Sequence, residues 1–462
     1  LAANGIAVWL FDEVHPVPML SYAVRKLKTI AGIMITASHN PKEYNGYKVY
    51  GGDGAQMSPE ATEVVVGFID QIKDYFSVAE GAGSLIRKVP KSVDKSYYKK
   101  LTRLTLSPKA VKKEGKKLRL VYTPVHGSGF IPVTTILKKM GINVNVVAEQ
   151  AVKDPEFSTV EVPNPEFKET LSLGISLAKK IDADVAFGTD PDDDRLGVAV
   201  RNDRGDFIAL TGNQVGILLL DYILTRLKEE GKLPANGVVV KSFVTTGMAQ
   251  VICDAFEVSL VEVPVGFKFI GEKIKEYEAD GSHTFLFGFE ESCGYLRGTE
   301  GSRDKDAVVA SLLFAEMVCY YTYKNQTVYG RLCEIYAKYG YVLDRNVSIK
   351  FEGLDAMKEM NAVVDSLKTR KVEKFDIYNV VAVRDYSASV RRLTDGTEEP
   401  LDIPKTNAVY YELETGGFIC VRPSGTEPKL KIYYSVKAKD EDSAEKALEK
   451  LKSAFEKLIN VV

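Results

Sequence analysis

Cysteine is scarce. The 462 residues hold five, Cys253, Cys293, Cys319, Cys333 and Cys420, an odd number with no CxxC pair. This argues against a disulfide framework or a thiolate metal site and fits a reducing, cytoplasmic setting. Net charge is nearly absent as well: 61 Lys and Arg against 63 Asp and Glu leave −2. No broad basic face for nucleic acid or an anionic membrane is expected, so any anion must be held by a local cluster. Long apolar runs are missing too. Stretches such as Val215–Leu220 with their neighbours are too short to span a bilayer. The opening LAANGIAVWLF has no basic residues ahead of its apolar stretch, unlike a signal peptide. It runs almost directly into a strand, so the first domain is expected to begin upstream of Leu1.

What is present is an ordinary globular composition, 45% hydrophobic and 27% charged, long enough for about three or four domains. Strand-like and helix-like segments alternate. In the first part these are Ile6–Phe11 (strand), Met19–Leu27 (helix), Ile33–Ala37 (a short buried strand) and Ala61–Phe76 (helix). A basic stretch, Ser107–Lys117, reads as a linker. The alternation resumes with the strand Leu118–Tyr122, the helix Ile131–Met140, the strand Ala183–Phe187 and the helix Gln214–Glu230. It continues through the strands Val238–Ser242, Val258–Val263 and Thr284–Phe289 to the long helix Ala307–Tyr323. Such alternation argues for parallel βαβ sheets. From about Asp344 the pattern changes to successive strands, closed by the helix Asp442–Ile459, which reads as an α+β domain with an antiparallel sheet. The expected domains are 1–112, 113–230, 231–343 and 344–462.

Ligands of parallel α/β sheets bind beyond the carboxyl ends of strands, and four loops at or just after strand ends stand out. In TASHNP, Pro41 stiffens a turn that presents Ser38, although a lone serine before Asn-Pro is more often a helix cap. No GxSxG elbow accompanies it, so a hydrolase triad is not indicated. In GTDPDDDR, four carboxylates fall within five residues. Carboxylates packed so closely repel unless a cation neutralises them. Asp190, Asp192 and Asp194 alternate, so an extended loop can aim all three at one ion. Ligands that are all oxygen select a hard cation, Mg²⁺ before Mn²⁺ or Ca²⁺. An EF-hand is excluded, since Arg195 stands where its glycine should fall. The alternative, a solvated acidic turn, fits poorly with the buried strand before it.

The third loop, FEESCGY, with GSRDKD after it, offers carboxylates and a hydroxyl suited to sugar hydroxyls. Arg303 and Lys305 there suit an anion, or Lys305 a proton transfer. Alone, Glu-Glu is often only surface. The fourth, VRPSGTEP, combines Arg422 with Ser424, Gly425 and Thr426, the composition of a phosphate cradle or of a charged β-turn. Lys48 follows the turn Asn45-Gly46, which can fold the chain back and bring it near Ser38; otherwise it is a surface lysine.

Together TASHNP, TDPDDDR, EES and RPSGTEP, in this order and spacing, resemble the α-D-phosphohexomutase superfamily of phosphoglucomutases and phosphomannomutases. The resemblance spans the whole chain. YNGYKVYGGDGAQ and VGFKFIG are similar to its phosphoglucomutase/phosphopentomutase branch. It implies three α/β domains with mixed sheets and a fourth, TATA-binding-protein-like α+β domain around a central cleft. It implies that Ser38 is a phosphoserine, and that Asp190, Asp192 and Asp194 hold Mg²⁺ with a phosphoserine oxygen, beside Arg195. Glu290 and Ser292 would grip sugar hydroxyls, and Arg422, Ser424, Gly425 and Thr426 the distal phosphate. Lys48 would be the acid/base, with His39 beside it, and Lys305, Arg303, Lys268 and Lys241 further partners.

The implied reaction interconverts glucose 1-phosphate and glucose 6-phosphate through glucose 1,6-bisphosphate. Mannose or pentose phosphates are alternative substrates, and a Mg²⁺-dependent sugar-phosphate hydrolase is an alternative activity. A sugar phosphate is the expected partner of a monomer or dimer, with no nucleic acid and no membrane. The family's opening segment, with its arginine-containing loop, has no counterpart here, so an N-terminally incomplete first domain is expected.

Overall fold

The computed structural model describes residues 1–81, 83–353, 355–424 and 428–459. The chain packs as two compact units. One comprises Leu1–Val239 with Gly266–Gly330, the other Val240–Val265 with Arg331–Val462.

The first unit opens with a short parallel pair, Val8–Leu10 against Ile86–Lys88. The helix Val17–Leu27 follows, with Pro18 in its first turn, where a missing N–H costs nothing. It packs on an antiparallel hairpin, Ala31–Ile35 with Tyr47–Gly51, in the register Ala31↔Gly51 to Ile35↔Tyr47. Val17, Leu20, Val24 and Tyr50 form the core between them. The first hairpin strand begins and ends two residues earlier than its apolar run suggests, because Thr36 closes the ladder by donating its amide to Gly46 O at 2.9 Å. Nor is this strand fully buried. Strand side chains alternate faces, so Gly32 and Met34 face the helix while Ile33 and Ile35 are exposed. A Cβ on Gly32 would lie 2.5 Å from Val24 Cγ2, which lets the helix approach this closely only over glycine.

The apparent linker is folded. Pro108–Glu114 is a helix whose Ala110, Val111 and Glu114 are buried against the long helix Ala307–Tyr323. Its lysines sit on the exposed side and mask that inner face. Glu316 of the long helix caps this entry, accepting the amides of Leu106 and Ser107. Lys91–Leu101, just ahead of it, is also a helix.

A five-stranded mixed sheet is the centre of the first unit. Its order is Val144–Val146, Leu120–Thr123, Val185–Thr189, Leu196–Arg201, Phe207–Leu210. The first three strands are parallel and the last two antiparallel additions. Ser172–Lys180 covers it with Leu171, Ile175 and Ala178 against Val121 and Ala186. Ala307–Tyr323 buries nearly every side chain, as a helix apolar all round must. Asp306 starts it by accepting Val309 N at 2.9 Å. The strand Thr284–Glu290 turns back antiparallel into Gly294–Arg297.

The second unit is built on an antiparallel sheet in the order Tyr341–Lys350, Lys429–Ala438, Phe418–Pro423, Val409–Leu413, Tyr378–Asp385, Val390–Leu393, Glu398–Pro400. The helices Ala356–Thr369 and Glu441–Ile459 cover one face. Met360, Val364, Leu448, Leu451 and Phe455 meet Val421, Ile432 and Tyr434 there. On the other face Phe243 stacks on Tyr386, ring centroids 4.1 Å apart, beside Tyr410, Phe418 and Tyr433.

Candidate active site

The hairpin that ends at Thr36 passes directly into the serine turn. Ser38 has φ of 53°, a left-handed conformation that is uncommon for a residue with a Cβ. Thr36 Oγ1 accepts the Ser38 amide at 2.8 Å and donates to Asp192 Oδ2 at 3.2 Å. The turn aims Ser38 Oγ at the aspartate loop, where it donates to Asp192 Oδ1 at 3.1 Å. His39 Nδ1 is 3.3 Å from the same hydroxyl. Burial, with Arg195, Lys305 and Lys48 nearby, pushes the imidazole down to about 3, so it is neutral at physiological pH.

The aspartate loop leaves the buried strand Val185–Thr189. Asp190, Asp192 and Asp194 are all buried, and one carboxylate oxygen of each lies within 4.8 Å of the others. Asp193, with φ of 57°, turns out of this set. The loop is held from several sides: Ser128 donates its amide and hydroxyl to Pro191 O, and Val17 N donates to Asp192 O at 2.9 Å. Asp190 Oδ1 accepts the amides of Asp194 and Arg195 at 3.0 and 2.9 Å.

Three cations face these carboxylates. Lys48 Nζ contacts Asp192 Oδ2 at 2.9 Å and Asp194 Oδ2 at 2.8 Å, and Lys305 Nζ lies 3.1 Å from Asp194 Oδ2. Arg195 pairs with Glu166, and its Nε stays 3.9 Å from both Asp190 Oδ2 and Asp194 Oδ1. Burial opposes the charge on Asp194, but Lys305, Lys48 and Arg195 outweigh it and hold this carboxylate far below the usual range. Burial, then Asp194 and Asp192, push Asp190 well up. Burial works against the Lys48 ammonium too, yet Asp192 and Asp194 raise it well above its ordinary value, so Lys48 carries a firmly held proton.

These residues fit a hard divalent cation. The donor set is all carboxylate, and Asp190 Oδ2 and Asp194 Oδ1 are buried acceptors with no hydrogen-bond partner. Orphaned buried carboxylate oxygens are costly, and a dication is the ligand that satisfies them without a proton.

The sugar-loop candidates adjoin this cluster through the backbone. Leu196 donates its amide to Cys293 O at 3.0 Å, and Arg195 bridges to Gly294. Glu290 is buried and accepts Gly266 N at 2.8 Å; burial raises its carboxyl to about 7 despite Lys305 nearby. Ser292 sits half-buried on the following turn. Lys305 crosses Gly294, where an added Cβ would lie 2.3 Å from Lys305 Cδ, so only glycine admits the lysine along this path.

Other candidates go elsewhere. Arg303 pairs with Glu278, and no hydrogen bond or ion pair brings its side chain to the aspartates. Lys268 is half-buried with Nζ 5.1 Å from the centre of the Phe269 ring. In the second unit, Lys241 is buried in an ion pair with Glu262 at 2.8 Å and also donates to Thr245 O at 3.0 Å, while Arg384 takes the other Glu262 oxygen. The resemblance implied Lys241 as a further partner, but its ammonium is already committed. Arg422 is the last residue but one of the strand Phe418–Pro423, half-buried, and Ser424 N donates to Lys429 O at 2.8 Å. Gly425 and Thr426 lie outside the described residues. Sequence reasoning missed Thr36, which braces the serine turn, and Glu166, which holds Arg195. Glu166 follows Pro163-Asn-Pro165, and no motif marks it.

Models of the phosphoglucomutase/phosphomannomutase family match in order along the chain. The three alpha/beta/alpha domains I, II and III match residues 1–76, 95–205 and 211–339, and the C-terminal domain matches 359–454. A phosphoglucomutase of Staphylococcus haemolyticus is 37% identical over 444 residues, covering 94% of this chain and 78% of the relative. Two solved structures share the fold. One is pp63/parafusin, a phosphoglucomutase from Paramecium in an open form, with a TM-score of 0.68 at 17% identity, covering 95% of this chain and 80% of that one. The other is a phosphoglucomutase/phosphomannomutase family protein of Burkholderia thailandensis, with a TM-score of 0.64 at 17% identity, covering 96% and 81%.

Proposed function

Because the chain belongs to the phosphoglucomutase/phosphomannomutase family and is a hexose-phosphate mutase, we propose that it interconverts glucose 1-phosphate and glucose 6-phosphate with Ser38 as the phosphoryl carrier. We propose with it the four domains bounded at residues 112, 230 and 343. The observation that carries the reading is Ser38 Oγ, set on a left-handed turn 3.1 Å from Asp192 Oδ1 at the edge of a buried, oxygen-only aspartate cluster.

In this reading a substrate hydroxyl attacks the phosphorus of phosphoserine 38. The bond from phosphorus to Ser38 Oγ breaks, and a bisphosphate forms. The bisphosphate turns over in the site, and its other phosphoryl group returns to Ser38, releasing the isomer. Asp190, Asp192 and Asp194 would hold Mg²⁺, whose contribution when bound is neutralisation of charge on the phosphoryl oxygens. Lys305 and Arg195 add fixed positive charge around the serine. Lys48, protonated against two aspartates, is set to give a proton to the departing Ser38 oxygen. The proton that the substrate hydroxyl loses then returns to the neutral Lys48 amine, whose charged form Asp192 and Asp194 favour. The reading assigns Glu290 and Ser292 to the sugar hydroxyls, and Arg422, Ser424, Gly425 and Thr426 to the distal phosphate.

The test is a panel of glucose, mannose, ribose and glucosamine 1-phosphates, assayed with Mg²⁺ and trace glucose 1,6-bisphosphate. The reading expects isomer from glucose 1-phosphate as the fastest reaction and its loss in Ser38→Ala. Faster turnover of another sugar would reassign the substrate, and inorganic phosphate in place of isomer would make the protein a hydrolase.

A further inference from the structure

Asp304 is nearly inaccessible, at 1% exposure. Its carboxylate is nevertheless fully engaged, and by two separate parts of the chain. Oδ2 accepts Tyr50 OH at 2.7 Å and Gln56 Nε2 at 2.7 Å; Oδ1 accepts the amide of Lys305 at 2.8 Å and lies 3.8 Å from Lys305 Nζ. Tyr50 lies on the hairpin strand Tyr47–Gly51, and Gln56 bridges back to Tyr50 just beyond it. Burial and the Asp304 charge push the Tyr50 phenol well above its ordinary value, so its hydroxyl remains a donor.

The strand period of two puts Lys48 and Tyr50 on one face. The carboxylate that holds Tyr50 therefore also sets the strand that carries Lys48, while its other oxygen holds the backbone of Lys305. Both lysines end on a single atom, Asp194 Oδ2, at 2.8 and 3.1 Å. Two like charges sharing one acceptor drift apart unless their backbones are fixed. We propose that Asp304 is a positioning residue that fixes the spacing of the Lys48 and Lys305 ammonium groups at Asp194 by fastening the serine hairpin to the loop Gly301–Asp306. This inference rests on the assignment of Lys48 and Lys305 to phosphoryl transfer at Ser38.

Tyr50→Phe removes one hydroxyl and leaves the ring in its core, and Asp304→Asn weakens the same bond from the other side. Steady-state kinetics on glucose 1-phosphate with Mg²⁺ should show kcat lowered about 10- to 100-fold in each, the scale of a roughly 1 Å misplacement. KM should stay within about 2-fold, because no substrate contact is removed. The double variant should be little worse than Asp304→Asn alone, which cuts the Tyr50 link and also removes the charge 3.8 Å from Lys305 Nζ. A Tm within a few degrees of wild type in Tyr50→Phe separates positioning from loss of fold. If Asp304→Asn fails to fold, Tyr50→Phe decides alone. Wild-type kcat in Tyr50→Phe beside an inactive Ser38→Ala would overturn this inference and leave the functional reading intact; so would a loss confined to KM. Full turnover in Ser38→Ala would overturn the reading and the inference together.

Discussion

Lys48 Nζ lies 2.8 Å from Asp194 Oδ2, joining the serine hairpin to the aspartate loop across 146 residues of sequence. The bond makes Lys48 a resident counter-cation of the cluster, so its loss and the gain of a metal ion should compensate.

Lys48→Met should therefore destabilise the metal-free protein by about 3–5 kcal/mol, the cost of stripping a buried carboxylate of its partner. Mg²⁺ should raise the Tm of the variant more than that of wild type, while kcat falls about 100-fold or more with or without added Mg²⁺. Thermal melts with and without Mg²⁺ check this, and an equal Mg²⁺ shift in both proteins would contradict it.

Glu290 gives a pH signature. Its carboxyl rises from an ordinary 4.5 to about 7 in the fold. Between those values the folded state holds a proton that the unfolded state has released. Stability is therefore lost as pH climbs through this window, by about 3 kcal/mol in all at about 1.4 kcal/mol per pH unit. Glu290→Gln keeps the acceptor for Gly266 N and removes the ionisation. Its Tm relative to wild type should rise between pH 5 and pH 8, and a constant difference would count against the assignment.

Asp190→Asn and Asp194→Asn should each weaken Mg²⁺ or Mn²⁺ binding by about 10-fold or more, since each removes a hard anionic ligand. Isothermal titration reads this without turnover. The cluster with Glu166 sets four carboxyl groups against Lys48, Lys305 and Arg195. A phosphoryl dianion on Ser38 adds negative charge beside these carboxylates, so affinity for a dication should be higher in the phosphorylated protein.

Lys241→Met should behave as a core lesion, because its ammonium is spent on Glu262 and Thr245 O. The expected result is a lower Tm, with a cost on the order of 3 kcal/mol, and kcat of the folded fraction within about 2-fold of wild type. A normal Tm with lost activity would return Lys241 to the site.

These contrasts show what the sequence made legible. Asp190, Asp192 and Asp194 could be read together because an alternating spacing on an extended loop is a local geometric fact. The long helix Ala307–Tyr323 could be read because it is apolar on every side. The strand Tyr47–Gly51 could not, since Asn45-Gly46 announced the turn but Tyr-Lys-Val-Tyr-Gly carries little apolar alternation. The helix Pro108–Glu114 was hidden by the lysines of its outer face. Lys241 and Lys305 were both expected as partners, Lys305 from the residues of its loop and Lys241 only through the resemblance. Only the position of Glu262, from a neighbouring segment, sends one into an ion pair, and only Gly294 opens a path for the other to Asp194. Partnerships between distant segments leave no local pattern.

The central claim is that Ser38 carries the phosphoryl group between the two positions of the sugar. The most direct measurement is phosphosite mapping by mass spectrometry after incubation with Mg²⁺ and glucose 1,6-bisphosphate, before and after a chase with unlabelled glucose 1-phosphate. The account predicts a phosphate on Ser38 that turns over during the chase at the rate of isomer formation. A Ser38 that stays unmodified while isomer accumulates would contradict it.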